Sequence, residues 1–597
     1  MKPNILLLTV SALALATLAA QADDNFANVE QNGTDNNSVV TQSGSENALG
    51  TSASQAQGAA LQAGNGNAFT VLQSGNRNAV GTAGQGFDQS GWHNGATITQ
   101  SSNRNSVGEV QQEDRTGSGS ALRNTLTILQ QGGNRNTVAR VLQTRESGGT
   151  GAAGSAATIT QGLAAPASGG GNTVGLLSQV GRANTATVIQ SSSDNSLGAL
   201  DQDGRDNVAI LTQSGGAGNV AYTIGQDGNR NTAVLSFDGS RNGASDFDAS
   251  TVLSAFGAFG ALSQGNVYQN GGFNQIGFVV TGNRTAYSFD QNGTANTVDG
   301  IVIGNRNQFG VAQDGTLNAA YLAIGSGADN QVYIVQRSAG LSLGNSAGVT
   351  IAGDGNDVGI DQVGVFNGSD ATVGLNGNRN AVTIRQATLA LGSAAAVDVT
   401  GNRNVVAIEQ LGNNDATVTV ATGNGNAVDV YQSGRNVFGT TIAGSNNHID
   451  SSQTTSGLGT NIASIGIVGS SNYLNVDQSK SGLFGSGNTL SVAIFGDNNN
   501  SPALSGFSGS ALALAGSALS PGDIVQSGRG NTITLNVGNA ASPSSNNQFA
   551  LAQIGDANTI LGTVLGKGNQ AVVVQTGNSN FTSFSQIGNF NVLGVSQ

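Results

Sequence analysis

The chain is organised by an eleven-residue period. Gln553, Val564, Gln575, Gln586 and Gln597 fall at intervals of eleven; Gly555, Gly566, Gly577 and Gly588, and Asn558, Asn569, Asn580 and Asn591, keep the same interval. The unit reads Q-x-G-x-x-N, five residues, then Q again. It is present at the front, where Gln31, Gly33 and Asn36 are followed by Gln42, Gly44 and Asn47, and in the middle, where Gly401, Gly412, Gly423 and Gly434 stay in step.

A period of eleven also suits a right-handed helical supercoil. A Gly in nearly every unit excludes it, since each would cost a helix about 1 kcal/mol, and the surrounding Asn and Ser favour turns. Between Asn and Gln the residues alternate with period two: Asn404, Val406, Ile408 and Gln410 on one face, Val405, Ala407 and Glu409 on the other. Asn380, Val382, Ile384 and Gln386 repeat the alternation, with Arg385 outward, and Val358 and Ile360 oppose Asp357 and Asp361. That is strand periodicity. Each unit is therefore a strand of about seven residues closed by an x-G-x-x turn, in which Gly takes backbone angles other residues resist.

Stacked units make an all-β solenoid in which each strand pairs with its equivalent one coil away at about 4.8 Å. Two units per coil would give about 22 residues per coil, roughly two dozen coils and a span of roughly 12 nm at that spacing; periodicity leaves three units per coil open. Inward Asn and Gln need their donors and acceptors met away from water, and identical neighbours above and below supply a ladder. The plainer reading makes them solvated turn residues, but their fixed phase with the inward Val and Ile argues for the ladder.

Composition fits a repeat array: 90 Gly, 5 Pro, 10% charged and 5% aromatic residues. Residues 1–22 read as a secretory signal, with an apolar run from Ile5 and small Ala20 and Ala22 before Asp23; residues 23–597 form one solenoid. An exported chain without Cys has no disulfide staples. Its net charge of −13 disfavours nucleic acid as a partner, and no later apolar run is long enough to span a membrane. Segments after Gln143, Gln161 and Gln453, and residues 243–262 and 501–521, carry no unit and read as excursions from a coil edge. Asn436 comes one place early and Gln202 one late, which reads as bulges.

The stretch QNGTDNNSVVTQSGSENALG, residues 31–50, and the closing units resemble the curlin repeat of curli fibre subunits, exported bacterial proteins that polymerise into extracellular functional amyloid. The resemblance extends over nearly all of the chain after the signal. It implies two units per strand–turn–strand coil, self-assembly through the inward amides, and, as partners, further copies, a nucleator subunit and an outer-membrane secretion pore. On that basis Gln31, Asn36, Gln42, Asn47, Gln553, Asn558, Asn569, Gln575, Asn580, Gln586, Asn591 and Gln597 are the expected assembly ladder. Gly33, Gly44, Gly401, Gly412, Gly423, Gly434, Gly555, Gly566, Gly577 and Gly588 are the expected turn glycines. Curli subunits have about five coils, so this chain looks like an expanded member. They also carry a Gly- and Asn-rich leader that addresses the pore; here the pattern begins at Gln31.

No residues converge on catalysis, a cofactor or a metal. His93 and His448 sit in turn-like contexts, and no Cys, paired His or nucleophile elbow is present. Asp357 with Asp361, or Asp201, Asp203 and Asp206, resemble acid pairs but match neither an EF-hand loop nor a G-G-x-G-x-D repeat. "NRN" recurs at residues 76–78, 103–105, 134–136, 229–231, 305–307, 378–380 and 402–404, always at a turn, and suggests either a charged stripe or solubilising charge. The sequence thus points to a secreted fibre subunit; the rival is a monomeric or surface-tethered solenoid adhesin binding carbohydrate or a host ligand. The rival, on the same fold, predicts a soluble monomer with a protected end and no dependence of strand content on seeding, whereas the fibre reading has a terminal coil completed by another copy.

Overall fold

The computed structural model describes residues 24–50, 59–81, 86–115, 124–146, 153–162, 170–244, 262–339, 343–388 and 392–597. The expected signal and most of the excursions after Gln143, Gln161 and Gly243 lie outside the described residues.

The chain winds as a parallel β-solenoid of about 21 turns with roughly 24 residues per turn. A coil consists of strand, turn, strand, turn, so two units make one coil. Excursions lengthen the average beyond 22 residues and reduce the number of turns below two dozen. One sheet starts at Phe26–Ala27 and Val29–Asn32, which share its first coil, and the other at Asn37–Ser43. Within each, every strand pairs in parallel with its equivalent one coil on, as in Gln386 against Gln410 and Gln410 against Gln432. Alternation decides what lies between the sheets: Val406 and Ile408 are buried, as are Val382, Ile384, Val358 and Ile360, while Val405 is 49% exposed. One apolar core runs from Leu49 to Val573.

The late Gln202 is explained by a bulge, repeated in register. The strands Ser106–Asp114, Thr137–Arg145, Thr173–Arg182, Ser196–Arg205 and Val220–Asn229 each leave one residue out of the pairing: Gly108, Ala139, Gly175, Gly198 and Tyr222. Two apolar residues three apart then both face inward, as Leu197 and Leu200 do. The early Asn436 has a different cause. There the corner loses one residue: Gly412–Asn414 stacks on Gly434–Asn436 and pairing runs through both corners without a bulge.

Two excursions contain more structure than their composition announced. The segment after Gln453 includes the strand Asn461–Val468, with Asn461 fully buried. Residues 501–521 hold the helix Gly509–Ala515, which folds back on the outer face of the first sheet. Ala511 and Ala515, four apart on one helix face, pack with Ala550 and Val572, and the N–H and Oγ of Ser508 donate to Oε1 of Gln570 at 2.7 and 2.8 Å. Ala and Leu at these positions are strong helix formers; the flanking Gly and Ser hid that signal.

Candidate functional site

The amides of the first sheet form an unbroken column. Gln31 donates from Nε2 to Oε1 of Gln62 at 2.6 Å, Gln62 to Gln89 at 2.9 Å and Gln89 to Gln112 at 2.7 Å. The same donation passes from coil to coil until Gln526 donates to Gln553 at 3.0 Å, Gln553 to Gln575 at 3.0 Å and Gln575 to Gln597 at 2.9 Å. All the bonds point one way, from each coil to the next. Beyond Gln31, whose second bond goes to Oγ of Ser38 at 3.3 Å, the remaining N–H of the amides crosses the core to a backbone carbonyl at the start of the opposite strand, as Gln386 does to Asp370 at 3.0 Å. Each Gln therefore ties its own coil to the following one and the two sheets to each other.

The corner asparagines work in the opposite sense. Asn380 donates from both its backbone N–H and Nδ2 to Oδ1 of Asn356, each at 3.0 Å, while Nδ2 also reaches the carbonyl of Gly401 in the next coil at 2.9 Å. Asn67 and Asn78 donate their backbone N–H to Oδ1 of Asn36 and Asn47. Asn558, Asn569, Asn580 and Asn591 bond in turn to Oδ1 of Asn531, Asn547, Asn558 and Asn569. Within the stack the amides point inward, with Asn47, Gln553, Asn558, Asn569 and Gln575 fully buried, while Gln31, Asn591 and Gln597 in the end coils are exposed.

The second column departs from the expectation. Gln42, Gln73, Gln100, Gln130, Gln161, Gln190 and Gln213 are linked in series. The next coil places Phe237 there, and Val280, Val302 and Ile324 follow. Gln586 stands over Val564, which offers no donor, so its Oε1 is buried without a partner. Gln586 has the position of a ladder residue but not its bonds, because an amide column needs an amide on both sides.

The turn glycines are required by stacking. At Gly33 and Gly401, φ is +130° and +134°, and a Cβ would overlap the carbonyl oxygen of Gly64 or Gly423 in the next coil. Gly44, Gly412, Gly423, Gly434, Gly555 and Gly566 meet the following turn in the same way. Gly577 and Gly588 keep positive φ, but a Cβ there would touch nothing nearer than the Nδ2 of Asn580 or Asn591 at 3.7 Å.

The candidate acids do not converge. Asp357 and Asp361 lie on the outer face of Asp357–Gly364; burial pushes the Asp357 carboxyl up to about 6. Asp203 is raised by burial and then by Asp227 and Asp201, whereas Asp206 belongs to a turn and pairs with Arg205 at 3.3 Å and Arg230 at 3.7 Å. Among the described residues no three His, Cys, Asp or Glu side chains gather to hold a metal ion. His448 stacks on Tyr473 with ring centres 5.0 Å apart, and Trp92 lies 6.4 Å from His93.

Fold and site define a class: a parallel β-solenoid in cross-β arrangement, held internally by amide columns. The curlin associated repeat family model matches residues 22–50, and the unit it covers is the one that recurs through the later coils. The match covers little more than the first coil of the multi-turn solenoid. No curated protein sequence matches the chain. Among the described residues no helix is long and apolar enough to cross a membrane.

Proposed function

We propose that this chain is an exported structural subunit, with residues 1–22 as its signal, that stacks coil on coil with other copies into an extracellular, curli-like amyloid fibre of a biofilm matrix, serving adhesion and aggregation. The observation that carries this reading is the uniform direction of the Gln column. A column in which every member donates forward and accepts from behind contains no terminating residue, so an open coil leaves amide groups unmet on its exposed side. At an open coil these groups face water; stacking buries them, and the equivalent coil of another copy supplies both the backbone pairing and the amide partner without which each buried group would cost about 1–3 kcal/mol.

Among the described residues no donor reaches Oε1 of Gln31 or Gln42, and Gln597 donates one Nε2 hydrogen to the Phe581 carbonyl at 3.1 Å, which leaves the other for the position that the next Gln Oε1 takes elsewhere in the column. The opposed groups are complementary only head to tail, so the fibre is polar. A nucleator subunit and a secretion pore are the further partners this reading implies. Thioflavin fluorescence and sedimentation of the purified chain, with and without preformed seed, test it. Lag-free seeded growth is expected; a monomer that stays soluble with seed overturns it.

A further inference from the structure

The third turn residue that precedes each first-sheet strand forms a column along one edge of the solenoid. Its backbone N–H groups link successive turns, from Arg77 through Arg104 and Arg135 to Gly171, and from Arg241 through Arg284 and Arg306 to Asp329, Gly355, Arg379 and Arg403. Six of the seven "NRN" arginines stand on this edge; Arg230 stands on the other, where it lies over the Phe273 ring at 5.2 Å. Arg241, from "SRN", and Arg284, from "NRT", complete the column. Eight arginines thus form three runs in consecutive coils, separated by about 4.8 Å.

We propose that this edge binds an extended anionic polysaccharide, its carboxylate or sulfate groups seated between successive guanidinium groups. Three observations carry the proposal. The first is conformational: these arginines sit at φ between +56° and +65°, where a residue with a Cβ is disfavoured by about 1–2 kcal/mol and where Gly218, Gly355, Gly425 and Gly568 serve in the same column. The second is electrostatic. Arg77 pairs with Glu46 and Arg306 with Asp329, both at 2.6 Å, but no carboxylate among the described residues pairs with Arg104, Arg135, Arg241, Arg284, Arg379 or Arg403. Like charges stacked at one coil's spacing repel until a counter-charge lies along them. The third is shape: each run borders a shallow groove, walled by Asn283, Arg284, Asn305 and Arg306 in the middle run with no carboxylate, whereas Glu46 and Asp194 also line the groove of the first run and Asp329 and Asp354 that of the last.

The groove favours a thin polyanion over nucleic acid. Single strands are held by aromatic stacking beside the basic groups, and no aromatic residue stands in the column at any of the three runs. Duplex DNA carries one charge per about 1.7 Å of its axis, much closer than the roughly 4.8 Å between successive arginines, so a sparser polyanion matches the column better. The site runs along the side of the stack and does not depend on the fibre proposal.

The test uses the full chain with polygalacturonate, neutral dextran of equal length and duplex DNA as probes. One variant replaces Arg104, Arg135, Arg241, Arg284, Arg379 and Arg403 by Gly, which the column already accommodates; a second replaces them by Lys. Salt-sensitive binding of polygalacturonate, reduced about tenfold or more by Gly and less than about threefold by Lys, is expected. Equal binding by the Gly variant, equal binding of dextran, or tighter binding of duplex DNA overturns the proposal. Unchanged strand content by circular dichroism shows that the Gly variant keeps the fold, and polygalacturonate binding by the Lys variant reads the site even if it does not.

Discussion

Gln213 stands directly against Phe237 of the next coil, and at that contact the second amide column ends while the first continues. From there the second sheet is held by apolar packing, with Phe237 stacked on Tyr287 and edge-on to Phe278. The two sheets respond differently to the same substitution.

Replacing Gln291 by Val strands the donor of Gln269 and the acceptor of Gln313, with which it bonds at 2.8 Å on each side. At about 1–3 kcal/mol for each buried group, amide hydrogen exchange in the flanking coils is expected to accelerate at least tenfold. Gln586→Val removes an acceptor that has no partner and fits over Val564. It is expected to leave exchange in the monomer unchanged or slower while slowing seeded growth.

Stability is expected to rise as the medium becomes mildly acidic. Burial holds the Asp357 carboxyl at about 6, above its ordinary value; burial and neighbouring acids raise Asp203, Asp290 and Asp429, and burial raises Asp477. The folded chain therefore binds more protons than the unfolded chain across this window, and stability grows as pH falls from above 6 toward 4. Glu46, Asp329 and Asp556 are lowered by hydrogen bonds from arginine, so their contribution acts oppositely and fades only under more acid conditions; exposed pairs of this kind contribute little. Denaturant midpoints measured between pH 4.5 and 7.5 should decline with pH, and Asp357→Asn should reduce the slope and be the more stable at pH 7.

Gly401→Ala and Gly588→Ala separate conformation from stacking. Both require a positive φ, costing about 1 kcal/mol, but only at Gly401 would the new Cβ overlap the next coil. Gly401→Ala is expected to open the neighbouring coils, read by hydrogen exchange. Gly588→Ala should be mild in the monomer and should cut the seeded elongation rate at least severalfold. Equal effects on both monomers would refute the stacking account.

Ala515→Glu places a charge between the helix Gly509–Ala515 and Val572. The helix is expected to undock, making residues 501–521 the first site of limited proteolysis while strand content by circular dichroism is retained.

The sequence by itself determined the unit, the strand alternation and the inward amides, because each follows from local rules: Gly and Asn demand a turn, period two selects the buried face, and a carboxamide held in phase with Val and Ile needs a like neighbour. Tertiary structure decided what depends on counting coils. Odd and even units look alike in an eleven-residue period, and excursions without a readable unit hide their parity. Only the folded stack shows that Gln31 and Gln597 share one column, that Gln586 meets Val564, and that Arg104 and Arg230 lie on opposite edges. The helix Gly509–Ala515 also needed the fold, because its Ala face gains stability only against the outer surface at Ala550 and Val572.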